Sequence, residues 1–302
     1  MIRGMNHREL LKSLDADTRR NLTRRSDLAG LRHLALHWGL ILLVGGMIAG
    51  PADGWLLLPL LFIQGVLIVF LFTLLHETTH LTPFRSLWLN RLVGRVCGFL
   101  LLLPPYWFRQ FHNAHHRHTQ MPDDDPELAA PKPATRGQYL WHLTGLPLWW
   151  SHGRTLFRNA LGRADDDFLG PSHAPAVRRE ARWMLVAYLG LCILSVLTGS
   201  MLLFWCWLLP VLLGQPVLRA YLLAEHGLCP FDRNMLANSR TMTTGPIVRF
   251  LAWNMPYHAE HHAWPAVPFH LLPEFHQLTR PHLQVWGQGY LAFHRQLWRT
   301  LS

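Results

Sequence analysis

Long apolar runs alternate with polar, basic stretches along this chain. The clearest is Trp55 to Leu75, WLLLPLLFIQGVLIVFLFTLL, in which only Gln64 and Thr73 are clearly polar. A second run, Trp183 to Leu213, carries no charge at all. A membrane span needs about 20 such residues, so the first run makes one helix and the second is too long for one. Thr198, Gly199 and Ser200 supply a turn that divides it. With a shorter block before Pro51, the pattern predicts four spans: Leu34 to Gly50, Trp55 to Leu75, Arg182 to Leu197 and Met201 to Leu223. They pair as two hairpins, turning at Pro51 to Gly54 and at Thr198 to Ser200. Gly98 to Phe108 is also apolar, but it is short and broken by Pro104 and Pro105. It reads as an interfacial or re-entrant piece.

Composition agrees with a membrane protein. Of 302 residues, 50% are hydrophobic and 15% charged, against about 25% charged in soluble domains. None of the 28 Lys and Arg residues falls in either hairpin turn. The positive-inside rule therefore places both termini and the long middle segment in the cytoplasm. That topology accounts for the net charge of +10 without invoking nucleic acid. Arg219, near the end of the fourth span, is costly in lipid and is expected to face protein or reach the interface. The first 30 residues are polar and basic, which argues against a removable signal peptide. Cys97, Cys192, Cys206 and Cys229 form no C-x-x-C pair, and no disulfide framework is expected.

The predicted fold is an all-α integral membrane domain over residues 1–302, with four transmembrane helices in two hairpins and a cytoplasmic helical cap. Its parts are a cytoplasmic N-terminal segment (1–33), a first hairpin (34–75), a cytoplasmic and interfacial segment (76–181), a second hairpin (182–223) and a cytoplasmic C-terminal part (224–302). Arg117 to Glu180 is rich in Pro, Arg and Asp and reads as the cap, with Leu143 to Trp150 at the interface.

The chemistry lies in the histidines. FHNAHHRHT places His112, His115 and His116 at H-x-x-H-H, and WNMPYHAEHHAW repeats that spacing with His258, His261 and His262. With 20 histidines in the chain, one such match arises by chance about one time in ten, so two argue against accident. HETTH adds His76 and His80 at i and i+4, one above the other on a helix face. By itself this pair is as readily a zinc-protease signature, with Glu77 as general base. His226 stands alone in AEHG, and only its predicted depth, beside the clusters, promotes it over a structural histidine. Neutral imidazole suits Fe, Zn, Cu or Ni. Eight clustered histidines and a ninth exceed one four-coordinate zinc and suit two metal ions with open positions. His118, His142, His152, His173, His270 and His276 are expected at the surface or behind the ligands.

Among the carboxylates, Asp123, Asp124 and Asp125 in MPDDDPE form either a solvated turn or an acceptor for a ligand imidazole N–H. Glu77 and Glu260, inside the motifs, are candidates for the same support. Glu225, beside His226, is a further one.

HETTH, HNAHH and HAEHH, with hairpins between them, closely resemble the integral-membrane fatty acid desaturase and hydroxylase superfamily, over roughly Leu71 to Pro273. NMPYHAEHHAWPAVPFHLLP and HNAHHRHTQMPDDDPE look like its bacterial members. The resemblance implies two non-haem iron ions held by His76, His80, His112, His115, His116, His226, His258, His261 and His262. It also implies O2 as co-substrate and oxidation at an unactivated C–H bond, with a bacterial inner membrane as the location. Some members place an Asn four residues before the extra histidine; here that position is Leu222, so a water-linked Asn ligand is in doubt. The HPGG of a fused cytochrome domain is absent, which implies a separate ferredoxin- or cytochrome b5-like electron donor docking on a basic face.

The expected reaction desaturates an aliphatic chain, by default an acyl chain entering from the bilayer. Hydroxylation or ketolation of a lipid or carotenoid, and desaturation of a small amphiphile, use the same ligand set. Two other classes fit less. A zinc protease leaves both H-x-x-H-H clusters unexplained, and a metal transporter would carry its ionisable groups within the spans.

Overall fold

The computed structural model describes residues 4–50 and 54–302. Four helices are long and apolar enough to cross a membrane: Ala16–Ala49, Gly54–Thr79, Ala174–Leu197 and Phe204–His226. Among the described residues the only strands are a two-residue parallel pair, Thr241–Met242 with Trp286–Gly287. The protein is an all-α membrane protein.

Every span differs from its hydropathy boundaries, because hydropathy marks entry into lipid and not the end of helical hydrogen bonding. The unbroken helix of the first span runs Asp27–Ala49 and starts before Leu34. Ser26 Oγ accepts the Ala29 amide at 3.2 Å. The Asp27 carboxylate then takes the Ser86 amide and hydroxyl at 2.8 and 2.7 Å, tying this end to the loop after HETTH. The second span does not stop at Leu75. It passes a break at Phe70 and continues as Leu71–Thr79, so His76 and Glu77 lie in its last turns and His80 is its C-cap. The third helix begins at Ala174, ahead of Arg182. The fourth opens with a π-helical turn, Phe204–Leu208, and ends on His226 rather than Leu223.

The expected turn at Pro51 to Gly54 lies, apart from Gly54, outside the described residues. The second turn is present, with Gly199 at φ 60°, a left-handed conformation that glycine adopts without strain. All four cysteines are free.

The second and fourth spans form the centre: 50% and 44% of their apolar windows are buried, against 17% and 11% for the first and third. They cross at two glycines. A Cβ on Gly65 would lie 2.0 Å from the Pro210 carbonyl oxygen, and one on Gly214 would lie 2.4 Å from the Gly65 carbonyl. Small residues at such a crossing let backbones touch, which is how helices gain packing energy where lipid is as apolar as leucine. Arg219, two turns of helix beyond Pro210, is buried inside the protein rather than lipid-facing.

The segment read as interfacial is a sharp elbow. Leu87–Leu100 and Pro105–His118 meet at 101°, with Leu102 at φ 54° in the bend. Pro105 sits in the first turn of the second helix, where its missing N–H costs nothing. The next two amides, Tyr106 and Trp107, donate to the Glu180 carboxylate of the third span at 3.0 and 3.3 Å. This external cap aims the helix that carries the first H-x-x-H-H cluster.

The Gly65–Gly214 crossing makes a direct prediction. Gly214→Val should destabilise the protein by about 1–3 kcal/mol through overpacking, read as a lower thermal transition in detergent. Gly190→Ala, where the added methyl group meets no other part of the described structure within 4 Å, should not lower the transition, since alanine favours a helix interior over glycine.

Candidate metal centre

The three predicted clusters and His226 meet at one end of the helical core. His76 and His80 come from the end of the second span, and His226 from the end of the fourth. His112, His115 and His116 lie on Pro105–His118, and His258, His261 and His262 on the short helix His258–Ala263.

Two groups result, and they do not follow the sequence clusters. Ligand atoms of His76, His80, His112, His116 and His261 lie within 4.8 Å of one another, and so do those of His115, His226 and His262. His258 joins the second group through a 2.9 Å approach of its Nε2 to His226 Nε2. Each H-x-x-H-H cluster therefore divides between the groups. The groups also touch, since the His116 and His262 rings stack in parallel with centroids 4.1 Å apart.

Tautomers in the second group follow from the partners. His226 Nδ1 lies 3.1 Å from the Asn238 carbonyl, an acceptor only, so Nδ1 carries the proton. His115 Nδ1 donates to Asp125 Oδ1 at 2.9 Å. The Thr119 hydroxyl donates to the His115 carbonyl and so accepts from His262 Nδ1 at 3.1 Å. All three rings then present bare Nε2 atoms, and those of His115 and His226 are only 3.3 Å apart. In the first group, His80 and His112 bring Nε2 atoms to 3.0 Å. Both nitrogens of His76 and of His116, and Nε2 of His261 and His262, are buried without a hydrogen-bond partner among the described residues. Buried lone pairs turned on one another are unfavourable unless a cation lies between them. The donor set fits two metal ions held by neutral imidazoles.

Electrostatics point the same way except at His115, where burial is outweighed by the Glu127 and Asp125 carboxylates together, which push the ring up. Burial, with the nearby Arg109 charge, pulls His80 down to about 3. Burial, reinforced by neighbouring imidazoles, holds His258, His261 and His262 well below the ordinary range. Neutral rings are the form that binds metal.

Carboxylates stand behind the rings. Asp125 is buried and also accepts the Gln120 and Glu127 amides at 2.8 and 2.9 Å. Its neighbours do not reach the ligand rings: Asp123 turns out of the loop at φ 71°, and Asp124 faces His118 at 4.0 Å. Glu77 Oε1 lies 3.3 Å from His261 Nδ1, while Oε2 accepts the Thr82 hydroxyl and the Phe269 amide. Glu225 Oε1 lies 3.4 Å from His258 Nδ1. Glu260 points away from the two groups and binds His276 Nδ1 at 2.5 Å together with the Thr241 and Thr279 hydroxyls, fixing its helix from behind. His276 thus supports a supporter, and His173 Nδ1 pairs with the Tyr106 hydroxyl at 2.8 Å, remote from the groups.

Sequence reasoning missed Glu127. Its Oε2 lies 3.2 Å from His115 Nε2, on the bare side of that ring. The Asp-Pro-Glu order was the available signal: Pro126 opens a tight turn whose N-cap is Asp125, and this turns Glu127 back to the same imidazole. Leu222 offers no ligand atom in its place. Thr119 and the Asn238 carbonyl were also missed; neither residue type stands out in sequence.

The fold and the site define an integral membrane protein with a buried, histidine-rich centre able to hold metal. The family model described as fatty acid desaturase matches residues 53–296, and the chain belongs to that family. It is 34% identical over 106 residues to the sn-1 oleoyl-lipid 12-desaturase of Picosynechococcus sp., covering 33% of this chain and 30% of the relative. It is 31% identical to the sn-1 acyl-lipid omega-3 desaturase (ferredoxin) of Nostoc sp., over 33% of this chain and 28% of the relative. The match thus spans under a third of the length of these two relatives. A fatty acid conjugase of Calendula officinalis matches more fully, at 24% identity over 79% of this chain and 72% of the relative.

Two predictions follow from the supporting groups and from the neutral rings. Asp125→Ala should weaken metal binding about 10–100-fold, measured by competition with a chromogenic chelator, whereas Asp123→Ala and Asp124→Ala should not. In the metal-free protein, histidines held below 6.5 refuse protons that the unfolded chain accepts. Stability should therefore be highest above pH 6.5 and decline as pH falls below it, seen as a falling melting temperature in detergent between pH 7.5 and 5.5.

Proposed function

We propose that the chain is a membrane oxidoreductase that uses O2 to desaturate an aliphatic chain, by default the acyl chain of a lipid. The observation that carries this reading is the pair of adjoining imidazole groups at the ends of two spans, in a member of the desaturase family. Two non-haem iron ions would be held by His76, His80, His112, His116 and His261, and by His115, His226, His258 and His262. Glu127 is the carboxylate placed to complete the second set, where Leu222 supplies nothing. Bound there, iron would supply the oxidation, in which O2, two electrons and two protons, together with two hydrogens taken from adjacent carbons, leave an alkene and two waters.

The protein's own share is positional. Asp125, the Asn238 carbonyl and Thr119 hold the Nδ1 protons of His115, His226 and His262, which keeps Nε2 free and the rings fixed. The packed core around Leu71 and Leu74 keeps water from one side of the first group. Alignment of the substrate carbon decides between alkene and alcohol. The protease reading is disfavoured because Glu77 is buried and engaged with Thr82, Phe269 and His261.

We place both termini and the centre on the cytoplasmic face of a bacterial inner membrane, with residues 1–302 as one domain. The absence of Lys and Arg from both hairpin turns supports this orientation. A separate ferredoxin- or cytochrome b5-like carrier would supply electrons at the basic face, a reading helped by the ferredoxin named for the Nostoc relative.

Metal analysis and iron spectroscopy on the detergent-purified protein test the proposal, together with lipid profiling of expressing cells. About two irons per chain, matching the two groups and reduced in His115→Ala and His261→Ala, are expected alongside new double bonds in cellular acyl chains. A single zinc that survives both substitutions would refute it.

A further inference from the structure

A cavity of about 690 Å³ opens between Leu87–Leu100, the start of Pro105–His118 and the third span. Its inner wall includes Leu75 and Thr79, which immediately precede His76 and His80 on the HETTH turn. Its outer wall lies on the third span and is apolar from Trp183 to Ala187, where Trp183 is 68% exposed on a helix with little protein cover. The cavity thus runs from the lipid-facing side of the protein to the edge of the first imidazole group.

Four guanidinium groups line it: Arg91, Arg95, Arg109 and Arg179. Arg91 and Arg95 lie one turn apart on one helix face, Arg109 is one turn before His112, and Arg179 precedes the apolar part of the third span. None of the four makes an ion pair or a side-chain hydrogen bond with any described residue. The single acid on the wall, Glu180, lies near Arg95 but gives both oxygens to the Tyr106 amide. Four positive charges thus face at most one negative. Charges that served topology alone would need only the correct face. These four converge from three helices on one concavity, beside an apolar wall. A guanidinium fork matches the oxygens of a phosphodiester or carboxylate, and the apolar wall suits a hydrocarbon tail.

We propose that this cavity receives the anionic head of the substrate, so that the enzyme acts on an amphiphile whose acyl chain carries a phosphodiester or carboxylate and not an uncharged sugar. The inference rests on the desaturase reading above and names its substrate class. A phospholipid and a free fatty acid share the oxyanion chemistry that the arginines recognise.

Binding without turnover tests it. Radiolabelled phosphatidylglycerol, oleate and monogalactosyldiacylglycerol are each titrated onto the purified, metal-containing protein in nonionic detergent. At least one anionic lipid should bind about tenfold or more tightly than the galactolipid, with an advantage that shrinks as salt rises. Preference for phosphatidylglycerol identifies the phosphodiester, and preference for oleate the carboxylate. The double variant Arg95→Gln/Arg179→Gln changes two exposed side chains and should lose most of that advantage while keeping its thermal transition. Arg8→Gln, on the N-terminal helix, should not. Equal binding of the galactolipid, which requires no variant to detect, overturns the proposal, as does an unaltered preference in the double variant. A protein that selects anionic lipids yet forms no double bonds would instead overturn only the desaturase reading.

Discussion

The histidines of the second group have little freedom of tautomer, and the site depends on that constraint. A carbonyl, a carboxylate and a hydroxyl whose own proton is already committed each require a proton on Nδ1 of the facing ring. The bare Nε2 atoms are left to face one another in a buried space. Lone pairs at such distances repel, and burial denies them water. The arrangement is costly for the protein alone and favourable around a cation, so the scaffold must resist the histidines' tendency to separate.

Much of the surrounding structure supplies that resistance. The second and fourth spans, whose last turns carry His76 and His226, are locked by backbone contact at Gly65 and Gly214 and cannot slide apart without losing it. Glu180 on the third span caps the helix carrying His112, His115 and His116 and so sets its angle. Glu260, anchored by His276, Thr241 and Thr279, fixes the helix carrying the last cluster. Four separate parts of the chain thus converge, each held by a contact outside the histidines.

The same convergence organises charge. Carboxylates gather behind the imidazoles at Asp125, Glu77 and Glu225, and Asp125 hydrogen-bonds its ring. Arginines without a partner among the described residues gather on the other side of the HETTH turn, at the cavity that leads to lipid. An anionic head held there would keep its own charge away from the carboxylates while its tail approached the imidazoles.

The amino-acid sequence by itself determined the four apolar spans and the histidine motifs, because these depend on local hydropathy and on spacing along one helix. The family was legible for the same reason: HETTH, HNAHH and HAEHH are contiguous. Tertiary structure alone decided how each H-x-x-H-H divides between two groups, since side chains at i, i+3 and i+4 share a face but fan out toward different neighbours. It also decided which of three consecutive aspartates serves an imidazole, because only the backbone turn at Gln120 and Pro126 buries Asp125 and leaves Asp123 and Asp124 in solvent. The span ends escaped hydropathy because His76, Glu77 and His226 are polar yet helical, sheltered by protein instead of lipid. Glu127 and the Gly65–Gly214 crossing were hidden for a related reason: their significance lies in what another segment places opposite them, and no local pattern records that.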